Sequence, residues 1–379
     1  MNPTTVTHRS LAPDLARGFM LLLIALAHAP GFVSDWTVGP AVLNKAAEFV
    51  RSLFAENQAR AMFVFLFGYG LGQLAQRQHD WPSTRNLLRR RSLWLIVIGF
   101  AHAVLLVPFD IIAVYGLTLL LLGPLVRARD TVLWWTSLLT LVPATALIAW
   151  QSTIAQSFAA AGRPMTMAQA MAPDVVSHVV SGMLSWPVET AVSTVVVVPG
   201  MLLGIWAARR RVLDEPERHA TLLRRVAVTC IGVSVVGRLP MALTGLWPTT
   251  STSMSWAVAT AHALTGYVGG IGLAAAVGLV AIRIGRHPGR LAVALAALGQ
   301  RSMTFYLFQS MVWVALFYPF TLDLRDDLSV AAAFGIAVAS WAVSVLLAEW
   351  MRRIGHRGPA ETLLRRLTYR RLVSGRAES

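Results

Sequence analysis

The segment Arg9–Pro30, RSLAPDLARGFMLLLIALAHAP, sets Asp14, Arg17 and His28 in or against a strongly apolar run. Ionisable groups are expensive inside a bilayer, so each of these requires a partner or a task. On an α-helix, the span from Arg17 to His28 makes three turns with only about 20° of angular drift. Asp14 precedes Arg17 by three residues, so all three groups fall on one stripe of the helix. At 1.5 Å per residue that stripe runs roughly 16 Å inward from the membrane surface. Neutral imidazole serves as a general base near pH 7, which makes His28 a candidate base. The planar fork of Arg17 suits a phosphate-bearing ligand. The alternative is a topological anchor, in which Arg17 reaches back to the surface while Asp14 pairs with it.

A second polar load lies in GQRSMTFYLFQSMVW, where Arg301, Tyr306, Gln309 and Ser310 interrupt another apolar run. Tyr306, Gln309 and Ser310 share a helix face that must point into protein or a cavity, and Arg301 offers a second cation. Gly68, Gly70 and Gly72 in FLFGYGLG permit close backbone approach by a helix or a ligand, with helix packing the more common use. No lysine follows them, which excludes a Walker-type phosphate loop. His102 and His262 also fall in apolar runs, where bonding to a neighbouring helix is the simpler role. Histidines paired one turn apart, a carboxylate cluster in an apolar run and a Gly-x-Ser-x-Gly elbow are all missing, so no metal is expected.

These groups must be carried by membrane helices. Of 379 residues, 56% are hydrophobic and 13% charged, with a mean hydropathy of +0.59. A soluble domain would carry about a quarter charged residues. The expectation is an all-α polytopic membrane protein forming a single domain over residues 1–379. The formal charge of +15 reflects arginines gathered between apolar runs, with no aromatic-interleaved basic face, so nucleic acid is not an expected partner. Cys230 alone builds neither a disulfide framework nor a cysteine zinc site. HAPGF after the first apolar run is no cleavage site, so that run reads as a retained span.

Runs of spanning length occur near 15–34, 58–76, 91–108, 110–126, 131–150, 188–208, 223–245, 256–282, 297–318 and 329–351, about ten in all. Arginines cluster in alternate connections, among them Arg89, Arg90 and Arg91, Arg127 and Arg129, Arg209–Arg211, and Arg283, Arg286 and Arg290. The opposite connections carry fewer cations, among them Lys45, Arg51 and Arg163, with more carboxylates. The positive-inside rule then puts both termini in the cytoplasm of a bacterial cytoplasmic membrane. Residues 151–187 are expected to lie along the outer interface. The basic tail 355–379 contains PAETLLRRLTYRRLV, which reads as an amphipathic interfacial helix on the anionic inner leaflet.

PDLARG before a long apolar run, then FLFGYG, GQRSMTFYLFQS and GPAETLLRRLTY in that order, resemble the YeiB-like family, the bacterial membrane group carrying domain of unknown function 418. The resemblance covers essentially the whole chain. It departs at Phe305-Tyr306, where the family usually has Asn-Tyr, and at Leu364, where it usually has Trp. The family is commonly grouped with transmembrane acyltransferases, including the acyltransferase-3 enzymes and heparan-alpha-glucosaminide acetyltransferase. In acyltransferase-3 proteins an Asp-x-x-Arg precedes a catalytic histidine, an arrangement matched here by Asp14, Arg17 and His28.

The resemblance implies a cytoplasmic acyl-CoA donor and a sugar or lipid-linked glycan acceptor. On that reading His28, supported by Asp14, is catalytic, and Arg17, Arg301 and Arg89–Arg91 bind the CoA phosphates. Tyr306, Gln309 or Ser310 would contact the acceptor or donate to the oxyanion. The competing expectation is a small-molecule or lipid transporter or flippase whose pathway the polar stripe lines, with Arg238 as a pathway residue.

Overall fold

The computed structural model describes residues 10–77, 80–161, 166–244, 251–285 and 287–369. Arg163, Arg286 and residues 370–379 of the basic tail lie outside the described residues. Among the described residues the chain is helical, without strands.

Helix α1 (Leu11–His28) is followed by a short α2 (Ala41–Val50), then α3 (Gln58–Gln76) and α4 (Trp81–Leu105). Next come α5 (Ile112–Leu122), α6 (Asp130–Ala160) and α7 (Val175–Arg209). The second half holds α8 (Ala220–Ala242), α9 (Thr252–Ile284), α10 (Arg290–Gln300) and α11 (Ser302–Phe317). α12 (Val330–Arg353) and α13 (Pro359–Tyr369) complete the order. Local chemistry sets several starts. Asp80 caps α4 through the Ser83 amide at 2.8 Å, Asp174 caps α7 through Ser177 at 2.9 Å, and Ser329 caps α12 through Ala332 at 3.1 Å.

Among the described residues six helices, α1 with its following turn, α6, α7, α8, α9 and α12, are long and apolar enough to cross a membrane. The α10–α11 pair makes up to seven, but it is bent by 84°. The straight span expected over 297–318 is therefore corrected to two helices meeting at Arg301. The bend is held by side chains from elsewhere in the chain. Arg301 donates from Nε to the His356 carbonyl at 3.1 Å and from Nη1 to Ala297 O at 3.0 Å. Glu361 of α13 accepts from the Met303 amide at 2.8 Å and from Thr304 Oγ1 at 2.5 Å. A carboxylate thus satisfies the free amides that open α11. The expected runs over 58–76, 91–108 and 110–126 coincide with α3, α4 and α5, which carry more polar residues or are shorter than the six.

Two further expectations are revised. Residues 175–187, expected at the outer interface, are the first turns of α7. The C-terminal α13 is amphipathic but docks on α4 and α11, burying Leu364 and Thr368 while Leu363 stays exposed.

α3 lies against α1, α7 and α9, and α1 also packs on α10 and α12. Glycine makes these approaches close: a Cβ at Gly299 would fall on the Asp14 carbonyl, and one at Gly18 on the Leu295 carbonyl. In FLFGYG, Gly68 rests on the Met201 backbone of α7, whereas Gly70 leaves space for the Arg17 guanidinium. The outer faces of α6 and α8 expose Leu138, Leu139, Val142, Val228 and Val236, as lipid contact requires.

Candidate functional site

The three groups of the α1 stripe serve two different spaces. Near the start of α1, Asp14 is buried and accepts from Gln300 Nε2 of α10 at 2.9 Å and from Arg17 Nη1 at 3.4 Å. It braces α1 against α10 and does not meet His28, three turns away. Arg17 stands half-buried beside Leu66 and Gly70 and lines a cavity of about 300 Å³. Arg77 and Arg91 line the same cavity, as do Gln73, Gln300 and Glu361. The Arg91 Nε is buried and finds no hydrogen-bond acceptor among the described residues. A guanidinium edge left unpaired beside two other cations favours an anionic occupant.

The remaining predicted cations divide. Arg90 donates to the Leu367 carbonyl of α13 at 2.9 Å, and Arg89 is exposed on α4. Neither lines this cavity, and neither does Arg301, whose donors go to the carbonyls at the α10–α11 bend.

The other end of α1 opens into a second cavity of about 630 Å³, lined by His28, Asn57, Arg60, Asp110, Gln151 and Glu189 among others. His28 Nδ1 lies 2.9 Å from the Ile24 carbonyl, and its ring stacks on Phe109 at 6.2 Å. A carbonyl only accepts, so Nδ1 carries the proton and Nε2 is left as an acceptor. That is the tautomer a base needs.

Phe63 and Tyr306 line both cavities and form the wall between them. Their rings are 6.2 Å apart, and Tyr115 packs edge-on against Phe63 at 5.1 Å. Tyr306 donates its hydroxyl to the Phe109 carbonyl at 3.0 Å. One turn further along α11, Gln309 and Ser310 bound a water-sized pocket of about 20 Å³ together with His28 and Tyr306. The structure therefore brings together His28, Tyr306, Gln309 and Ser310 in one place, and Arg17 and Arg91 in another.

Two groups given other roles in the sequence reading, His102 and Arg238, also matter here. His102 Nε2 is 2.8 Å from Ser310 Oγ, and its Nδ1 is 3.0 Å from Asp110 Oδ1, with both side chains of that pair buried. Asp110 stands just before an apolar run, which is the sequence signature of a helix cap; it accepts from the Ile112 and Ala113 amides. Arg238 is fully buried and donates to Leu53 O, His262 O, Glu56 O and Ser52 O. Two of those carbonyls, Ser52 and Leu53, belong to a π-helical turn, Arg51–Ala55, that borders the His28 cavity, and Glu56 follows it directly. Arg238 is thereby corrected from a pathway residue to a clamp, because its donors end on backbone. His262 joins it, with Nε2 at 3.2 Å from Ser52 O.

Residues 207–371 match the family described as "Protein of unknown function (DUF418)". The chain is 25% identical to Uncharacterized protein YxaH of Bacillus subtilis (strain 168), over 97% of this chain and 96% of that protein. It is also 25% identical to Uncharacterized protein YeiB of Escherichia coli (strain K12), over 82% of this chain and 81% of that protein. The matched stretch contains both partners of the α11–α13 contact, Thr304 and Glu361. The resemblance read from the motifs therefore stands: the second part of the chain matches the DUF418 family, and most of its length is similar to YxaH and YeiB.

Proposed function

We propose that this protein is a membrane acyltransferase that takes an acyl group from acyl-CoA at one face and passes it to a sugar or lipid-linked acceptor entering from the other. The observation that carries the reading is the pair of cavities meeting at Phe63 and Tyr306, one cationic and one containing His28. In this reading Arg17 and Arg91 hold the CoA phosphates, with Arg77 at their side and exposed Arg89 adding long-range attraction. Arg90, Arg301 and Asp14 position: they fix α13, the α10–α11 bend and α1. A space of about 300 Å³ suits a pantetheine arm, leaving the nucleotide outside.

His28 Nε2 deprotonates the acceptor as its oxygen or nitrogen attacks the acyl carbon. Gln309, whose Nε2 is buried with no partner among the described residues, is the donor nearest the developing oxyanion, while Tyr306, its hydroxyl given to the Phe109 carbonyl, shapes the wall. The arginine distribution orients the molecule with the Arg17 cavity and both termini toward the cytoplasm of a bacterial plasma membrane, and with ten crossings when α3, α4, α5 and the bent pair are included.

A transporter is the second reading, favoured by the 84° break at Arg301. Transporters present broken-helix termini to substrate. Here Glu361 occupies the α11 terminus, which favours the enzyme.

Binding of the donor tests the proposal. Acetyl-CoA or a longer acyl-CoA should raise the melting temperature of the purified protein in a saturable way, since a ligand of the folded state stabilises with concentration. Arg91→Gln should shift that dependence to at least tenfold higher concentration while melting normally without ligand. Equal stabilisation of wild type and Arg91→Gln, or none in wild type, rejects the donor site.

A further inference from the structure

The two cavities share only Phe63 and Tyr306 of their linings, and a side chain at that wall able to hold the acyl group by itself would let donor and acceptor act in turn. Ser310 stands one helical turn beyond Tyr306, on the His28 side. Its Oγ is 2.8 Å from His102 Nε2 and 3.2 Å from the Tyr306 carbonyl, and His102 Nδ1 is 3.0 Å from Asp110 Oδ1.

These distances place Ser310, His102 and Asp110 in the order of a serine nucleophile, its base and a carboxylate beside the base, with His102 and Asp110 at ion-pair distance and not in an aligned hydrogen bond. Asp110 is itself fixed by two amides at the start of α5, and Gly99 lets that helix end lie directly on α4 below His102. Beside Ser310, Gln309 Nε2 is buried with no partner among the described residues and borders the same small pocket. An unpaired donor at that place is what a tetrahedral oxyanion needs.

We propose that Ser310 is a nucleophile that carries the acyl group as an ester between the two cavities, activated by His102 and Asp110. This deepens the acyltransferase reading and rests on it for the identity of the donor. The steps balance. His102 Nε2 takes the Ser310 proton as Oγ bonds to the thioester carbon. The carbon–sulfur bond then breaks, and the leaving thiolate takes that proton from His102. The acceptor next gives its proton to His28 and bonds the same carbon. The Oγ–carbon bond breaks, and His28 returns the proton to Ser310 across the pocket they share.

The test uses the intact purified protein and an alkyl fluorophosphonate, which reports a reactive serine whatever the natural donor. Peptide mass spectrometry should place the phosphonyl adduct on Ser310, and Ser310→Ala should abolish it. His102→Gln and Asp110→Asn should each slow labelling by about 10²-fold or more, as loss of general-base assistance does. Variants that melt like wild type are the ones compared. In parallel, acetyl-CoA should add one acetyl mass to the chain, most in His28→Ala and none in Ser310→Ala. Labelling of Ser310 without an acetyl adduct upholds the nucleophile and rejects acyl-CoA as donor. Acyl transfer by Ser310→Ala at the wild-type rate, or an unlabelled Ser310 in wild type, overturns the inference and leaves the donor reading standing.

Discussion

Replacing His28 with alanine should lower acyl transfer by about 10²–10⁴-fold while leaving expression and melting close to wild type. The expected loss is large because His28 is the α1 group whose accepting nitrogen borders the His28 cavity. Its Nδ1 is committed to the Ile24 carbonyl, which leaves Nε2 to take a proton. The structural loss is small, one hydrogen bond within α1 and a ring contact with Phe109. A polar side chain that keeps the bond but is not basic, as in His28→Gln, should be as inactive as alanine. Steady-state transfer from radiolabelled acetyl-CoA to membrane glycans or lipids measures this, with donor binding followed separately. Unchanged transfer in His28→Ala would remove the base from the mechanism.

The second large effect is on stability. Arg238→Met should destabilise the protein by about 3–5 kcal/mol, the range for removing one partner from a buried charged network. Arg238 is completely enclosed and serves four carbonyls, three of them within Ser52–Glu56. A π-helical turn leaves its carbonyls poorly paired, and Asn57 just after it sits at a φ of 55°, a conformation that requires support. Removing the guanidinium strands several acceptors at once, each at a cost of about 1–3 kcal/mol. Arg51, Glu56 and Asn57, which line the His28 cavity, are held by that same turn. Denaturation in detergent micelles should therefore shift strongly. A variant that melts normally but loses activity would return Arg238 to the role of a substrate-contacting residue.

Much of this architecture was legible in the residues. The apolar runs located helices, and the α1 stripe and the α11 polar face identified two elements of the site. Periodicity gives faces, however, and not neighbours. It showed Asp14, Arg17 and His28 in line but not that the ends of the line open into separate spaces. The wall depends on Phe63 of α3 meeting Tyr306 of α11, a pairing across the chain with no local signature. His102 read as packing because its partners are eight and 208 residues away.

Arg301 and Arg90 read as ligand cations because the sequence around them shows no side-chain acceptor for either. Their acceptors are carbonyls of residues 356 and 367. The same holds for the bend at Arg301. Its cause is a capping carboxylate some sixty residues further on, so hydropathy reported one run where the chain makes two helices. GQRSMTFYLFQS and GPAETLLRRLTY, separate motifs in sequence, are one contact in space.

Approach of the proposed donor and acceptor from opposite ends of α1 is tested most directly by sided acyl transfer in proteoliposomes whose protein orientation is scored by accessibility of the Arg17 end. Labelled acetyl-CoA is supplied either outside or inside, with a glycan or lipid acceptor present on both sides. Donor should be consumed only on the Arg17 side, and the acetylated acceptor should accumulate on the His28 side. Consumption from either side equally, or product confined to the side of the donor, would contradict it.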